Sequence, residues 1–336
     1  MIESLHAAEI EQIISLQKLP VSTLVMKALS NLGPSAYLLS MVGLVYLCFD
    51  SRLGARLLFL YVGAQVVSHF SKLAFHLPRP FWLDERVHAF EPTAASFGLP
   101  SGHSLVATSV WLLMAIEVRQ WWFWALSCVI ILLVSFSRVW LGSHFISDVI
   151  GGCLLGGFVL LLFLWAEKRW HGSLGKLSFA KQFALTVILT LVIVAVGFII
   201  RATLANSADL TQWPRYPGAR QSYRPLGAYP GTFLGLGIGL AMALRWARFS
   251  PGGPIVQRGL RLLLVAPPAL LYWLRPRGLL KELSDLPAFL LLFTGYALAA
   301  WGFTFAFPLV LLRLGLAAPE AGSMPSERNT APTARR

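Results

Sequence analysis

The chain has 336 residues, 56% of them hydrophobic and 13% charged, with a mean hydropathy of +0.66. Soluble domains carry about a quarter charged residues, so this composition excludes an ordinary water-soluble fold and makes lipid the main solvent. The net charge of +13 does not indicate nucleic acid, because Lys and Arg are spread between apolar runs with no basic stripe interleaved with aromatics.

The opening stretch, MIESLHAAEIEQIISLQKLP, lacks the basic start of a cleaved signal and spaces Glu3, Glu9 and Glu11 among Ile and Leu. It predicts an amphipathic helix on the membrane surface, and residues 1–30 are read as an interfacial segment. Nine apolar runs follow, at about 34–49, 55–75, 104–118, 121–140, 146–166, 182–204, 230–246, 258–274 and 286–313. Several approach or exceed the roughly 18 residues of a spanning helix. The last is long enough to tilt or break at Pro308. The expected architecture is all-α, a polytopic membrane helix bundle of about nine transmembrane helices. The final twenty residues, 317–336, are rich in Pro, Ala, Ser and Arg without apolar periodicity and predict a disordered tail.

Cys48, Cys128 and Cys153 each stand alone in an apolar run, without the paired spacing of a metal site or disulfide framework, and are read as buried packing residues. Trp121, Trp122, Phe123 and Trp124 form a membrane-interface belt. Arg52, Arg56, Arg119, Lys168, Arg169, Lys176 and Lys181 follow the first, third and fifth spans, which makes those loops cytoplasmic by the positive-inside rule. The opposite connections then face outward, yet they too hold cations.

Those cations belong to three polar clusters at one membrane face. KLAFHLPRP places Lys72 at the end of the second span, with Pro78 and Pro80 forcing Arg79 to approach from a loop. PSGH opens the third span with Pro100, Ser101, Gly102 and His103. SRVWLGSHFISD runs from Ser137 to Asp148; His144 and Asp148 at i, i+4 share a helix face, so the carboxylate holds one imidazole nitrogen and exposes the other. Three cations, two histidines and the free amides of a helix start make an anion site for which phosphate is the natural occupant. A histidine backed by a carboxylate is a nucleophile, and a second can protonate a departing oxygen. Together they describe phosphoryl transfer through a phosphohistidine, with Lys and Arg stabilising the charge and no metal motif in view.

These segments resemble the signature of the type 2 phosphatidic acid phosphatase superfamily, KxxxxxxRP, PSGH and SRxxxxxHxxxD, present here in full and in order. The resemblance covers roughly residues 30–166 and matches Lys72, Arg79, Pro80, Pro100, Ser101, Gly102, His103, Ser137, Arg138, His144 and Asp148. It implies that His144 is the nucleophile, Asp148 its orienting partner and His103 the general acid, with Lys72, Arg79, Arg138, Ser101 and the Gly102 amide on phosphate. It implies a catalytic helix bundle at 31–181; the further transmembrane helices expected at 182–316 are not part of the signature. The family's six-span plan has another helix before the first motif; only one span precedes it here, so the N-terminus is expected outside.

The remaining polar residues divide. Arg201, Arg245 and Arg258 read as snorkelling anchors, Glu117 as an interfacial charge, His69 and His76 as packing residues, and Asp84, Glu85 and Arg86 as shaping an entrance. The outer loop with Arg215, Arg220 and Arg224 touches headgroups or, as a sharper alternative, lets Arg220 and Arg224 bind a second phosphate. Behind it, Gly231, Gly235 and Gly239 repeat at four residues for close helix packing. The expected protein is an enzyme of the bacterial cytoplasmic (inner) membrane, its site facing the periplasm or exterior. It would take the terminal phosphate from undecaprenyl diphosphate, phosphatidylglycerol phosphate or phosphatidic acid, with no cofactor, no metal and no nucleic-acid partner. Transfer to a lipid acceptor such as lipid A, or transport of lipid or phosphate, are the alternatives.

Overall fold

Asp50 reverses the chain. Its carboxylate accepts the amides of Arg52 and Leu53 at 2.8 and 2.9 Å, serving two donors that a helix start leaves open, so a helix begins at Ser51. The computed structural model describes residues 2–34, 36–91, 96–170, 172–205, 224–274 and 284–320. Helices dominate them: α1 (Ile2–Gln17), α2 (Thr23–Ser30), α3 (Ala36–Cys48), α4 (Ser51–Phe75), a short α5 (Pro80–Leu83), α6 (Gly102–Val118), α7 (Trp121–Trp140) and α8 (Ile146–Trp170). A short α9 (Ser173–Lys176), α10 (Phe179–Ala205), α11 (Arg224–Trp246), α12 (Ile255–Leu274), α13 (Asp285–Trp301) and α14 (Phe307–Arg313) follow.

Each of the nine apolar runs falls on a helix. Among the described residues, six stretches are long and apolar enough to cross a membrane: 51–83, 121–140, 146–170, 179–203, 226–246 and 285–313; Tyr37–Cys48 and Gly102–Val118 are shorter apolar helices. The protein is a multi-pass membrane helix bundle. Its surface agrees with a lipid solvent, because Leu132, Leu154 and Leu191 point outward at 62–71% exposure, a waste of apolar area in water but not in lipid. The same solvent corrects one expectation. Cys48 is buried and Cys153 half-buried, but Cys128 is exposed, since a small apolar thiol on a spanning helix meets lipid at no cost.

Helices α3, α4, α6, α7 and α8 surround one core containing Leu57, Leu105, Val110, Leu113 and Val134, none of them exposed. At the end away from the polar clusters, Arg56 of α4 pairs with Glu117 of α6 and Glu167 of α8, each at 2.6 Å, tying three helix ends together. The C-terminal helices add a second seam, in which Gly231, Gly235 and Gly239 bring α11 against α13. A Cβ at Gly235 would run into the carbonyl of Ala297.

The expected break at Pro308 is a π-helical segment, Gly302–Ala306, just before α14. Proline has no amide to donate to residue 304, and the Thr304 carbonyl accepts Tyr46 Oη of α3 at 2.9 Å. The start of the expected tail is also held. Residues Ala318–Pro319 (β2) pair antiparallel with Phe249–Ser250 (β1), and Glu320 reaches Arg52 at 2.7 Å; residues 321–336 lie outside the described residues.

Candidate active site

Helix α4 stops at His76, whose left-handed backbone (φ 40°) caps it by donating to Lys72 O, and Pro78 and Pro80 forbid its continuation. Lys72 is thereby left in the last turn and Arg79 in the extended residue before α5. Both are buried, at 8% and 3% exposure, where a charge needs partners. Lys72 Nζ donates to the carbonyls of Phe97 and Gly98 at 2.8 and 2.9 Å. Arg79 donates from Nε to Ser96 O (2.8 Å), from Nη1 to Ser143 O (2.7 Å) and from Nη2 to Ser96 Oγ and Phe97 O (2.9 and 3.3 Å). Gly98 makes this loop possible: a Cβ there would collide with Pro78 O and stand 3.0 Å from an Asp148 carboxylate oxygen.

The third cluster sits at the α7–α8 turn. His144 Nδ1 lies 3.2 Å from Asp148 Oδ2, which also accepts the Phe145 amide at 3.0 Å. Donation from Nδ1 to this carboxylate leaves the Nε2 lone pair facing the cations, with Arg79 Nη1 at 3.5 Å. Burial, then Arg79 and Lys72, hold the His144 imidazole well below its usual pKa of 6.5, so the ring is neutral.

The second cluster closes the site from α6. Ser101 is the N-cap: its Oγ accepts from Ser104 N and Ser104 Oγ at 3.4 and 3.1 Å, and its amide donates to Asp148 O at 2.8 Å. Its hydroxyl proton remains as a donor. The Gly102 and His103 amides belong to the first turn, where the helix ladder supplies no acceptor. His103 is within Coulombic reach of Arg138, Lys72, Arg79 and His144. Arg138 Nη1 donates to Ser30 Oγ and to Glu91 Oε2, both at 2.7 Å, while its buried Nε has no partner among the described residues.

Lys72, Arg79, Ser101, Gly102, His103, Arg138, His144 and Asp148 are thus brought to one place from sequence positions 76 residues apart at the extremes. Arg220 lies outside the described residues, and Arg224 begins α11 with its side chain outside them. His69 and His76 stay at the rim: His69 faces Tyr229 with ring centroids 6.2 Å apart, and His76 packs edge-on against Phe97.

The N-terminal segment is a surprise at this site. Glu9 binds Ser147, Ser30 binds Arg138, a Cβ at Gly33 would meet the His103 ring at 3.1 Å, and Arg86 bridges Asp84 and Glu11. A signal for it was present. His6, Ile10 and Ile13, with Glu9 beside them, recur at helical spacing on one face of α1, and that face buries against the α7–α8 turn.

Residues 53–171 match the PAP2 superfamily, and residues 227–319 match the PAP2 superfamily phosphatase, transmembrane extension. An undecaprenyl-diphosphatase from Sulfolobus acidocaldarius is 32% identical over 35% of this chain and 56% of its own length. A lipid A 4'-phosphatase from Porphyromonas gingivalis is 29% identical over 48% of this chain and 72% of its own. Among solved structures, the transmembrane PAP2 type phosphatidylglycerolphosphate phosphatase from Bacillus subtilis is 25% identical with a TM-score of 0.42, covering 50% of this chain and 87% of that one. The chain spans only about half the length of the Sulfolobus relative. With the three polar clusters converging inside the first matched region and the glycine seam inside the second, the chain belongs to the PAP2 superfamily and carries its transmembrane extension.

Proposed function

We propose that this protein is a membrane lipid phosphatase that removes the terminal phosphate of a lipid phosphate or diphosphate through a phosphohistidine. The observation that carries the reading is the His144–Asp148 pair, whose Nε2 lies 3.5 Å from Arg79 Nη1 in a cluster that also buries Lys72 and Arg138. Three fixed cations neutralise the phosphoryl oxygens as charge builds, and their burial strengthens the effect. His144 Nε2 attacks phosphorus, the phosphorus–oxygen bond to the lipid breaks, and His103 gives its proton to the leaving oxygen. Water then attacks the phosphohistidine, passing a proton to His103 as phosphate leaves and His144 is restored.

Undecaprenyl diphosphate, phosphatidylglycerol phosphate and phosphatidic acid are the candidate substrates, the first in line with the name of the Sulfolobus relative. Helix α6, 17 residues or about 25 Å, is shorter than the roughly 30 Å hydrocarbon core, which suits a His103 set at headgroup depth. The cations at 52–56, 119 and 168–181, at and between helix ends, support an outward-facing site in a bacterial cytoplasmic membrane. The loop with Arg220 and Arg224 contacts headgroups or a second phosphate; in the second case, replacing both with Ala should lower kcat/KM for a polyprenyl diphosphate more than for phosphatidic acid.

The test is phosphate release by the purified protein from a panel of lipid phosphates. Turnover should persist in EDTA and vanish in His144→Ala. Loss in EDTA restored by magnesium would overturn the scheme, product appearing on an added lipid acceptor instead of as free phosphate would make it a transferase, and binding without turnover would leave a transporter.

A further inference from the structure

Glu9 is only 5% exposed, although α1 lies outside both regions matched to the family. A carboxylate is buried only where its oxygens are served. Here one accepts the amide of Ser147 at 2.7 Å and the other accepts the Ser147 hydroxyl at 3.0 Å. Ser147 stands beside Asp148 in the first turn of α8, where the amides have no acceptor within the helix, so Glu9 caps α8 from another helix. Its negative charge also suits the positive end of the helix dipole.

The neighbouring turns of α1 grip the same segment. The His6 ring stacks on Phe145 with centroids 4.2 Å apart and planes 7° from parallel, and Ile10 and Ile13 bury with Val139, Phe145 and Val149. At the far end of α1, Gln17 accepts the His88 amide (3.0 Å) and donates to the carbonyls of His88 (2.9 Å) and Trp140 (3.0 Å). The helix is therefore pinned at both ends, and Glu9 bears on Ser147, the one residue between Ile146 and Asp148.

We infer that Glu9 is a positioning residue for phosphoryl transfer, which holds the first turn of α8 so that Asp148 meets His144 Nδ1 and His144 Nε2 stays aimed at the phosphate. This rests on the proposed roles of His144 and Asp148. Without the cap the turn carrying Asp148 loosens, and small misplacements of reacting groups are costly in rate while leaving the cations that bind phosphate in place.

The experiment measures kcat and KM of the full-length protein in detergent micelles with phosphatidic acid as the probe. Glu9→Ala should lower kcat by on the order of tenfold while KM changes by less than about twofold. Glu9→Gln, whose amide accepts from the Ser147 N–H and donates to its hydroxyl, should recover most of that loss. Ser147→Ala, which removes one of the two bonds, should fall between them, and it decides the matter if Glu9→Ala does not fold. Unchanged kcat in monodisperse Glu9→Ala or Ser147→Ala, or a loss in Glu9→Gln as large as in Glu9→Ala, would overturn the inference. A wild-type protein that releases no phosphate, or His144→Ala with full activity, would instead refute the underlying reading of the site.

Discussion

Glu91 Oε2 accepts a 2.7 Å hydrogen bond from Nη1 of Arg138, the same nitrogen that reaches Ser30 Oγ. The guanidinium is thereby tied at one corner by a side chain from the loop between the first two signature segments and by another from the end of α2. Its buried Nε has no partner among the described residues, and a phosphate oxygen would satisfy it. The pairing also offsets the positive charge that attracts phosphate.

Glu91→Gln keeps the hydrogen bond and removes the negative charge. Inhibition by inorganic phosphate should therefore tighten by about threefold, a size typical of a partly exposed charge pair. Inhibition constants measured at low and high salt check it; an equal or weaker constant in the variant would show that Glu91 does not screen the site.

Asp148→Asn should cost much more. The Asn side chain still accepts the Phe145 amide through oxygen, so the turn is kept, but the charge that stabilises an imidazolium or phosphoimidazole at His144 is gone. The expected loss in kcat is about a hundredfold or more. The pH profile provides a companion measurement. Because burial and the Arg79 and Lys72 charges depress the His144 pKa, the nucleophile stays unprotonated as pH falls through 6.5. The acid limb of kcat/KM, after correction for the second ionisation of the substrate phosphate, should have its midpoint below 6.5; a midpoint at or above that value would contradict the neutral ring.

Orientation has its own test. Phe97 is 2% exposed and unsuitable for labelling, whereas Glu85 and Gly175 are exposed near opposite ends of the bundle. In a background without Cys48, Cys128 and Cys153, Glu85→Cys should react with an impermeant thiol reagent in intact cells and Gly175→Cys only after lysis. The reverse pattern would place the site on the cytoplasmic face.

The seam between α11 and α13 gives a prediction about stability. Gly235→Leu drives a side chain into the Ala297 carbonyl and should destabilise the protein by about 1–3 kcal/mol, seen as a lower unfolding temperature in detergent. Gly295, on the facing helix but with open space at its Cβ, should tolerate Ala with little change.

Much of this protein is written locally. Long apolar runs in lipid become helices because only a helix satisfies a segment's amides within the segment itself, which is why all nine runs are helical and why Pro308 marks an irregularity in the last. The grouping of Lys72, Arg79, Ser101, Gly102, His103, Arg138, His144 and Asp148 was legible as well, because charged residues beside spanning helices are expensive and their spacing is distinctive. Tertiary structure decided what those residues touch. Whether Cys128 faces core or lipid depends on which side of α7 is packed, and that is settled by neighbours that local periodicity does not name when both surroundings are apolar. Whether Glu9 lies on a membrane surface or under Ser147 depends on a partner 138 residues away. Amphipathicity shows only that one face of α1 must be buried; the carboxylate's burial became affordable once α8 presented two donors at its unsatisfied end, and that meeting exists only in the folded chain.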